Sequence, residues 1–251
     1  MATDFNEQRI RRPHEEFFGP LVQKMPALRA DGRVPVWTSY LMERRLNSAN
    51  AAWGDNYLFT GDLVATDGNG EYKFVFTSDN KGNITPLGNQ LLDLINPKAE
   101  LSNGAIFLDQ YDAITGAGVV PFLSKDCTFL GRDMSPEEAL NSKLWRISAR
   151  HPDEVHADFA EDAKLLPTYI ERMGAEMKTR FQYDEIMGVW LDEAIRIPSF
   201  RAWYVSRLSV RSQAGGVDNL DGTFGRLVGV APEALSAPSK VIAEPSLEQA
   251  L

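Results

Sequence analysis

The run DGNGE at residues 67–71, with Lys73 shortly after it, holds the residue types best suited to chemistry in this chain. Carboxylates bind divalent cations, and a neighbouring lysine can position an attacking water or stabilise negative charge in a transition state. Asp62 lies on the segment that leads into the run. Asp62, Glu71 and Lys73 are therefore the candidate catalytic residues, and Mg²⁺ or Mn²⁺ is the cofactor that they would need.

The tripeptide Glu71-Tyr72-Lys73 resembles the E-x-K element of metal-dependent nucleases of the PD-(D/E)xK type, with Asp62 as the acid on the preceding strand. The resemblance covers this hairpin alone, and no proline precedes the aspartate. It implies a metal-dependent phosphodiesterase or nuclease, which is the alternative function. On a regular hairpin, however, Asp62 lies opposite Val75, about 13 Å along the strand from Glu71. Two carboxylates so far apart share a metal ion only if the hairpin is bulged.

A tight turn accounts for the same run without any ligand. Asp and Asn tolerate left-handed backbone and Gly adopts positive φ freely, so DGNG is typical of a hairpin loop. A four-residue loop would pair Thr66 with Glu71. As a calcium loop the run is incomplete, because the position that needs a bidentate glutamate is Ser78. The turn is the favoured interpretation.

His151, Asp153 and His156 are metal-ligand candidates by residue type. Their spacing is poor, because the two histidines are five residues apart and Pro152 places the first one before a predicted helix. The favoured interpretation is a solvated acidic first turn of that helix.

An arginine-rich and aromatic segment stands out in an acidic protein. The chain has a net charge of −9, yet residues 194–213 hold four arginines and no acid. The candidate partner-binding or anion-binding residues are Arg196, Arg201, Trp203, Tyr204, Arg207 and Arg211. Trp, Tyr and Arg are the usual anchors of protein interfaces, and arginines with aromatics also suit nucleic acid. A structural role is the third alternative, with the aromatics buried and the arginines paired to acidic helices.

Composition limits the classes of protein. The chain of 251 residues is 43% hydrophobic and contains one cysteine, Cys127, which excludes an intramolecular disulfide. The sequence has no apolar stretch near the roughly 20 residues that cross a bilayer, and its N-terminus lacks the apolar core of a secretory signal. We expect a cytoplasmic protein without membrane contact.

The elements that position these residues belong to the α+β class. The sequence predicts a helical part over 1–53, an antiparallel β-sheet over about 56–130, and a helical layer over about 135–210 packed on that sheet. Together they form one predicted domain, 1–228. The remaining residues, 229–251, are rich in Ala, Pro, Ser and Glu and are predicted to be a flexible tail.

Helix signals are clearest after residue 134. Ser135 with Glu138 predicts a capping box, with Pro136 at the first helical position. The stretches 151–162, 166–181 and 183–194 are also predicted to be helical.

The favoured function is a non-catalytic structural or interaction module, because no catalytic constellation passes the geometric test. It would bind a macromolecular partner, a protein in preference to nucleic acid, through 196–211 and without a cofactor. Charge reversal at Arg201 and Arg207 is expected to abolish this binding without lowering the melting temperature.

Overall fold

The longest strand, β3 (Leu58–Thr66), is buried along its whole length. Its sequence LFTGDLVAT is rich in β-branched and apolar residues, as a strand covered on both faces requires. The computed structural model describes residues 12–235.

Eleven strands and eight α-helices make up the described part. The other strands are β1 (His14–Phe18), β2 (Val34–Pro35), β4 (Glu71–Val75), β5 (Leu101–Ser102), β6 (Ala105–Phe107), β7 (Val119–Leu123), β8 (Val189–Leu191), β9 (Ser199–Val205), β10 (Ala214–Gly216) and β11 (Arg226–Val230). The helices are α1 (Leu21–Ala30), α2 (Thr38–Asn47), α3 (Ala52–Asp55), α4 (Pro86–Leu94), α5 (Pro136–Asn141), α6 (Lys143–Ser148), α7 (Leu165–Phe181) and α8 (Pro232–Leu235).

The strands form one mixed sheet with the order β1-β11-β3-β9-β10-β8. Most neighbouring strands are antiparallel, and the pairs β3/β11 and β8/β10 are parallel. β4 extends the sheet beside the second half of β3, and β7 pairs with β4. β6 pairs with the start of β9. β3 and β9 are therefore the centre of the sheet.

Each face of the sheet carries its own core. Side chains alternate along a strand, so Phe59 and Leu63 enter one core while Leu58 and Val64 enter the other. The first core packs against α1 and α4. The second packs against α2, α5, α6 and α7. This sheet between two helical layers confirms the α+β prediction. The predicted antiparallel sheet over 56–130 was wrong in detail, because the sheet is mixed and also takes strands from outside that range, β1 and β2 before residue 56 and β8 to β11 after residue 188.

Local signals predicted several helices correctly. Ser135 Oγ accepts the Glu138 N–H at 3.2 Å, and a Glu138 carboxylate oxygen accepts the Ser135 N–H at 2.9 Å, so the capping box starts α5. The apolar stripe over 166–181 lies within α7. Among residues 12–235 no helix is both long and apolar enough to cross a bilayer.

The helical layer ends earlier than predicted. Residues 183–194 and 199–205 contain β8 and β9 in place of helices. An apolar run buried on both faces lacks the alternation that marks a strand, and its apolar spacing imitates a helix. The stretch 151–162 also contains no helix; it forms turns in which the ring nitrogens of His151 and His156 accept backbone N–H bonds. Such local bonds compete with helix formation.

Regular structure continues past the predicted domain boundary at 228. β11 runs to Val230 and α8 to Leu235, so the first residues of the predicted tail belong to the sheet and a helix. The rest of the predicted tail, 236–251, lies outside the described residues, as do 1–11. The division into one domain and a flexible tail stays a prediction.

Candidate binding surface

The run 67–71 is a turn. Asp67 Oδ1 accepts the N–H groups of Asn69 at 2.7 Å and Glu71 at 3.0 Å. Thr66 pairs with Tyr72, so the loop has one residue more than predicted and the register shifts by one. Because side chains alternate along a strand, a shift of one residue changes which side chains of β3 and β4 point to the same face of the sheet.

The shifted register separates the proposed catalytic residues. Asp62 points into the core beneath α2, whereas the Lys73 ammonium lies in the opposite core, donates to the Tyr111 carbonyl at 3.0 Å and stacks over its ring. Asp62, which would hold the metal ion, and Lys73, which would act on the attacking water or the substrate, lie on opposite faces of the sheet and cannot serve one reaction centre. The Asp62–Glu71–Lys73 nuclease site is therefore wrong for this fold.

Asp62 has a structural role. Its carboxylate accepts the N–H and the hydroxyl of Thr38 at 2.8 and 2.7 Å, and Arg150 Nη2 lies 3.4 Å away. Both charged side chains are fully buried. Burial raises the pKa of the Asp62 carboxyl, and the Arg150 guanidinium and Thr38 oppose that shift. The Phe76 and Trp37 rings flank the guanidinium.

The histidine candidates do not assemble a metal site. Asp153 pairs with Arg146 at 3.0 Å, and His156 lies on the surface beside Asp158. Within 12–235, no group of three histidine, cysteine or carboxylate side chains is close enough to bind a metal ion.

The arginine-rich segment is mostly buried. Arg201, Trp203 and Tyr204 lie in β9 and are at most 7% exposed. The Arg201 guanidinium donates to the Asp218 carbonyl at 2.9 Å, to Asn219 Oδ1 at 3.1 Å, to the Asp192 carboxylate at 2.7 Å and to the Asn103 carbonyl. Arg201 therefore ties three loops to the central strand.

The remaining arginines of the segment do not form one patch. Arg196 precedes β9 while Arg207 and Arg211 follow it, and a seven-residue strand separates its ends by roughly 20 Å. Arg211 is also engaged, with Asp133 at 3.1 Å and the Tyr183 ring beneath it. Arg196 and Arg207 are exposed.

A groove with an exposed phenylalanine at its edge is the most distinctive surface feature. Phe224 is 84% exposed, the highest value for any large apolar side chain in the described part. The groove has a volume of about 480 Å³. We call it the aromatic groove; its lining is Tyr57, Phe59, Val217, Asp218, Asn219 and residues 222–225.

The sequence folds the groove loop back over the sheet. Leu220 is its anchor: fully buried, it donates its N–H to the Gly104 carbonyl at 3.0 Å and accepts the Val22 N–H at 3.1 Å. Gly225 accepts the Gly19 N–H at 2.8 Å as the loop enters β11. Between these anchors the chain must project outward, which places Phe224 in solvent.

Tyr57 forms the floor of the groove. Its ring stacks on Tyr204 at 4.8 Å and meets Phe59 edge-on at 5.5 Å. Its hydroxyl donates to the Asp218 carboxylate. Burial, together with the nearby Asp218 charge, raises the pKa values of Tyr57 and Tyr204, so both stay neutral. The result is an aromatic floor with one carboxylate at its edge, an arrangement suited to binding.

Sequence reasoning missed this surface. The signal that could have revealed it is the phenylalanine in the polar, glycine-rich loop DNLDGTFG (218–225), which also holds Leu220. An apolar side chain in such a loop either packs back on the core, as Leu220 does, or is displayed.

Comparison with known proteins gives the fold its name. No family model and no curated protein sequence matches the chain. Among solved structures, a chain described as showing the accommodation of massive sequence variation in Nanoarchaeota by the C-type lectin fold matches with a TM-score of 0.57. The match covers 88% of this chain and 99% of the nanoarchaeal chain. The chain shares the C-type lectin fold.

The two chains are 16% identical, so the likeness is one of backbone. The C-type lectin fold therefore accounts for the frame on which the aromatic groove is built, and the ligand has to be argued from the side chains of the groove.

Proposed function

We propose that this protein is a non-catalytic binding module that holds a protein partner at the aromatic groove. The observation that carries the proposal is Phe224, which is 84% exposed beside a groove floored by Tyr57 and Phe59. Covering such a side chain on binding contributes about 1.5–3 kcal/mol. Aromatic side chains displayed next to a concave surface are the usual anchors of protein interfaces.

A second exposed aromatic lies on the opposite face of the sheet and is not part of the groove. Phe18, 50% exposed, ends β1 and pairs with Arg226, whose guanidinium lies 5.1 Å from the centre of the Phe18 ring. Arg226 directly follows the groove loop. Phe17 and Leu227, the neighbours of this pair along their strands, pack in the core on the side of the groove, so the Phe18 and Arg226 side chains point to the other face. We therefore assign the partner contact to Phe224 and the groove alone.

The charge of the loop favours protein over nucleic acid. Residues 212–225 include Asp218 and Asp221 and no basic residue. Nucleic acid binding depends on neutralising phosphates with Lys or Arg, and an acidic loop on a protein of net charge −9 opposes it. A partner surface with apolar groups and a few hydrogen-bond donors fits better.

The residues predicted from the sequence have a changed role in this proposal. Arg201 holds the groove loop in place, and Tyr204 supports Tyr57 from below. Arg196, Arg207 and Arg211 do not line the groove. The nanoarchaeal relative by fold accommodates massive sequence variation. This supports the view that the side chains of the groove loop, and not the shared backbone fold, determine which partner this protein binds.

Cytoplasmic residence belongs to the same proposal. Cys127 is buried, and burial raises its thiol pKa to about 11. A thiol of this kind is a poor nucleophile and suits a reducing compartment.

The proposal is tested by photocrosslinking followed by affinity measurement. A benzophenone amino acid at position 224 is used to trap the partner in extracts of the source cells, and the same group at position 107 is the control. Phe107 is 46% exposed and lies beside the opposite end of β9. The trapped protein is then purified, and its affinity is measured for the wild type, Phe224→Ala and Phe107→Ala.

We expect a partner trapped from position 224 only, and an affinity at least about tenfold weaker for Phe224→Ala. Phe107→Ala should bind like the wild type. Equal crosslinking from both positions, no crosslinking from 224, or equal affinities of the two variants would overturn the proposal.

A further inference from the structure

A second pocket lies on the other face of the sheet from the aromatic groove. Its volume is about 320 Å³, at the lower end of the range for small-molecule sites. The side chains that matter for its chemistry are His14, Arg44, Ser48, Asn50, Trp53 and Asn56. Leu58 and Val228 also line the pocket. Leu58 belongs to the core beneath α2 and α7, and Val228 packs against that core. The groove residue Phe59 belongs to the opposite core.

Arg44 is the unusual residue of this pocket. Every other arginine of residues 12–235 that is buried or half-buried has a carboxylate partner or hydrogen-bond acceptors, including Arg45, which makes five hydrogen bonds. Half-buried Arg44 has no acceptor for its guanidinium within the described chain, and its Nε is buried without a partner. The guanidinium lies 5.6 Å from the Trp53 ring centre, which holds it at the pocket.

The other charges around the pocket are already balanced. Glu15 lies 3.8 Å from Arg33, and Glu16 pairs with Arg226. His14 donates to or accepts from the Tyr40 hydroxyl at 2.8 Å. Burial, and then Arg44 and Arg33, lower the pKa of His14 to about 4, so the imidazole is neutral at pH 7. Glu43, next to Arg44 on α2, is the remaining carboxylate nearby; burial raises its pKa and the Arg44 charge opposes that shift. No ion pair within the described residues joins Arg44 to Glu43 or to another carboxylate.

Uncharged donors accompany this charge. Ser48 Oγ accepts the Asn50 N–H at 3.2 Å, which leaves the Ser48 hydroxyl hydrogen without an acceptor in the described chain. The Asn50 side-chain oxygen accepts the Ala52 N–H, and its amide nitrogen likewise has no acceptor there. The lining thus offers a planar two-donor guanidinium with further donors beside it.

We propose that this pocket binds a small-molecule carboxylate, and that the Arg44 guanidinium donates hydrogen bonds to both carboxylate oxygens. The planar fork of a guanidinium matches a carboxylate in shape, and the resulting charge-assisted bonds are stronger than neutral ones. A phosphate group at neutral pH would carry about 1.5–2 negative charges, more than a single guanidinium neutralises. This site is independent of the proposed function at the aromatic groove.

The test uses benzoate as the probe, with benzamide as its neutral counterpart and inorganic phosphate as the competing anion. Binding is followed through the indole N–H resonance of Trp53, assigned by its loss in Trp53→Phe. The variants are Arg44→Gln, Arg44→Lys and, as a matched control, Arg172→Gln. Arg172 is an exposed arginine in α7.

We expect a saturable shift of the Trp53 resonance with benzoate and none with benzamide. Benzoate should bind Arg44→Gln at least about tenfold more weakly, Arg44→Lys with intermediate affinity, and Arg172→Gln like the wild type. The absence of a saturable benzoate shift, equal binding by wild type and Arg44→Gln, or tighter binding of benzamide or phosphate than of benzoate would each overturn the proposal.

Discussion

A single arginine shows how residue type and residue role diverge in this protein. Arg201 has the chemistry of a partner-binding anchor, yet it is 3% exposed and each of its terminal nitrogens donates hydrogen bonds to loops. Arg207, six residues later, is exposed and has no ion pair in the described chain. The two arginines look equivalent in the sequence, and burial separates them.

Charge reversal should therefore affect the two positions differently. Arg201→Glu places a carboxylate among the Asp192 carboxylate and backbone carbonyls, and we expect it to lower the free energy of unfolding by about 3–5 kcal/mol. Arg207→Glu should change it by at most about 0.5 kcal/mol. Urea unfolding of both variants measures the difference. A stable Arg201→Glu protein would contradict the structural role given to Arg201.

A close contact between elements occurs where α4 passes the chain at Thr77, two residues after β4. A β-carbon added to Gly88 in α4 would lie 2.1 Å from the Thr77 carbonyl oxygen, so only glycine allows the helix this approach. Gly174 in α7 is different, because an added β-carbon would lie 3.4 Å from Ile186 Cδ1, an ordinary contact.

The same substitution in these two helices should have opposite signs. Gly174→Ala should raise the free energy of unfolding by up to about 1 kcal/mol, since alanine favours helix more than glycine does. Gly88→Ala should lower the free energy of unfolding, because the helix must move away from the Thr77 backbone. Thermal unfolding of the two variants tests this. If Gly88→Ala also stabilised the protein, the close approach of α4 would be wrong.

At the scale of the whole molecule, one sheet serves two cores. β3 and β9 have neighbours on both sides, and every residue of both strands is buried. Within residues 12–235, β1 is at the edge of the sheet and pairs only with β11, and its residues are half-buried to exposed. Local opening of β1 breaks few contacts, whereas opening of β3 or β9 disrupts both cores.

Hydrogen–deuterium exchange should follow this arrangement. We expect the amides of 58–66 and 199–205 to exchange most slowly, because opening them requires the full free energy of global unfolding. The amides of 14–18 should exchange much faster, because local opening exposes them. Mass spectrometry of peptides that cover these three segments gives the comparison. Equal protection of β1 and β9 would mean that the edge strand is covered in solution by a partner or a second copy.

Part of this structure could be predicted from short segments. The capping box at Ser135, the apolar stripe of α7 and the turn at 67–71 were all predictable, because each depends on interactions within a few residues of the chain. The register of the hairpin could not be predicted, because the choice between a four-residue and a five-residue loop depends on which face of β3 meets which core.

The sequence by itself determined the α+β class and the turn chemistry, and it excluded disulfides and a multi-cysteine metal site. Only the tertiary structure decided that Arg201 holds loops to the central strand, that Asp62 and Lys73 face opposite cores, and that Phe224 is exposed at the edge of a groove lined by Tyr57 and Phe59. The physical reason is distance along the chain. Helix caps, turns and apolar periodicity depend on residues close together in the sequence. Whether an arginine is buried or a phenylalanine is exposed depends on segments that are far apart in the sequence and meet across one sheet.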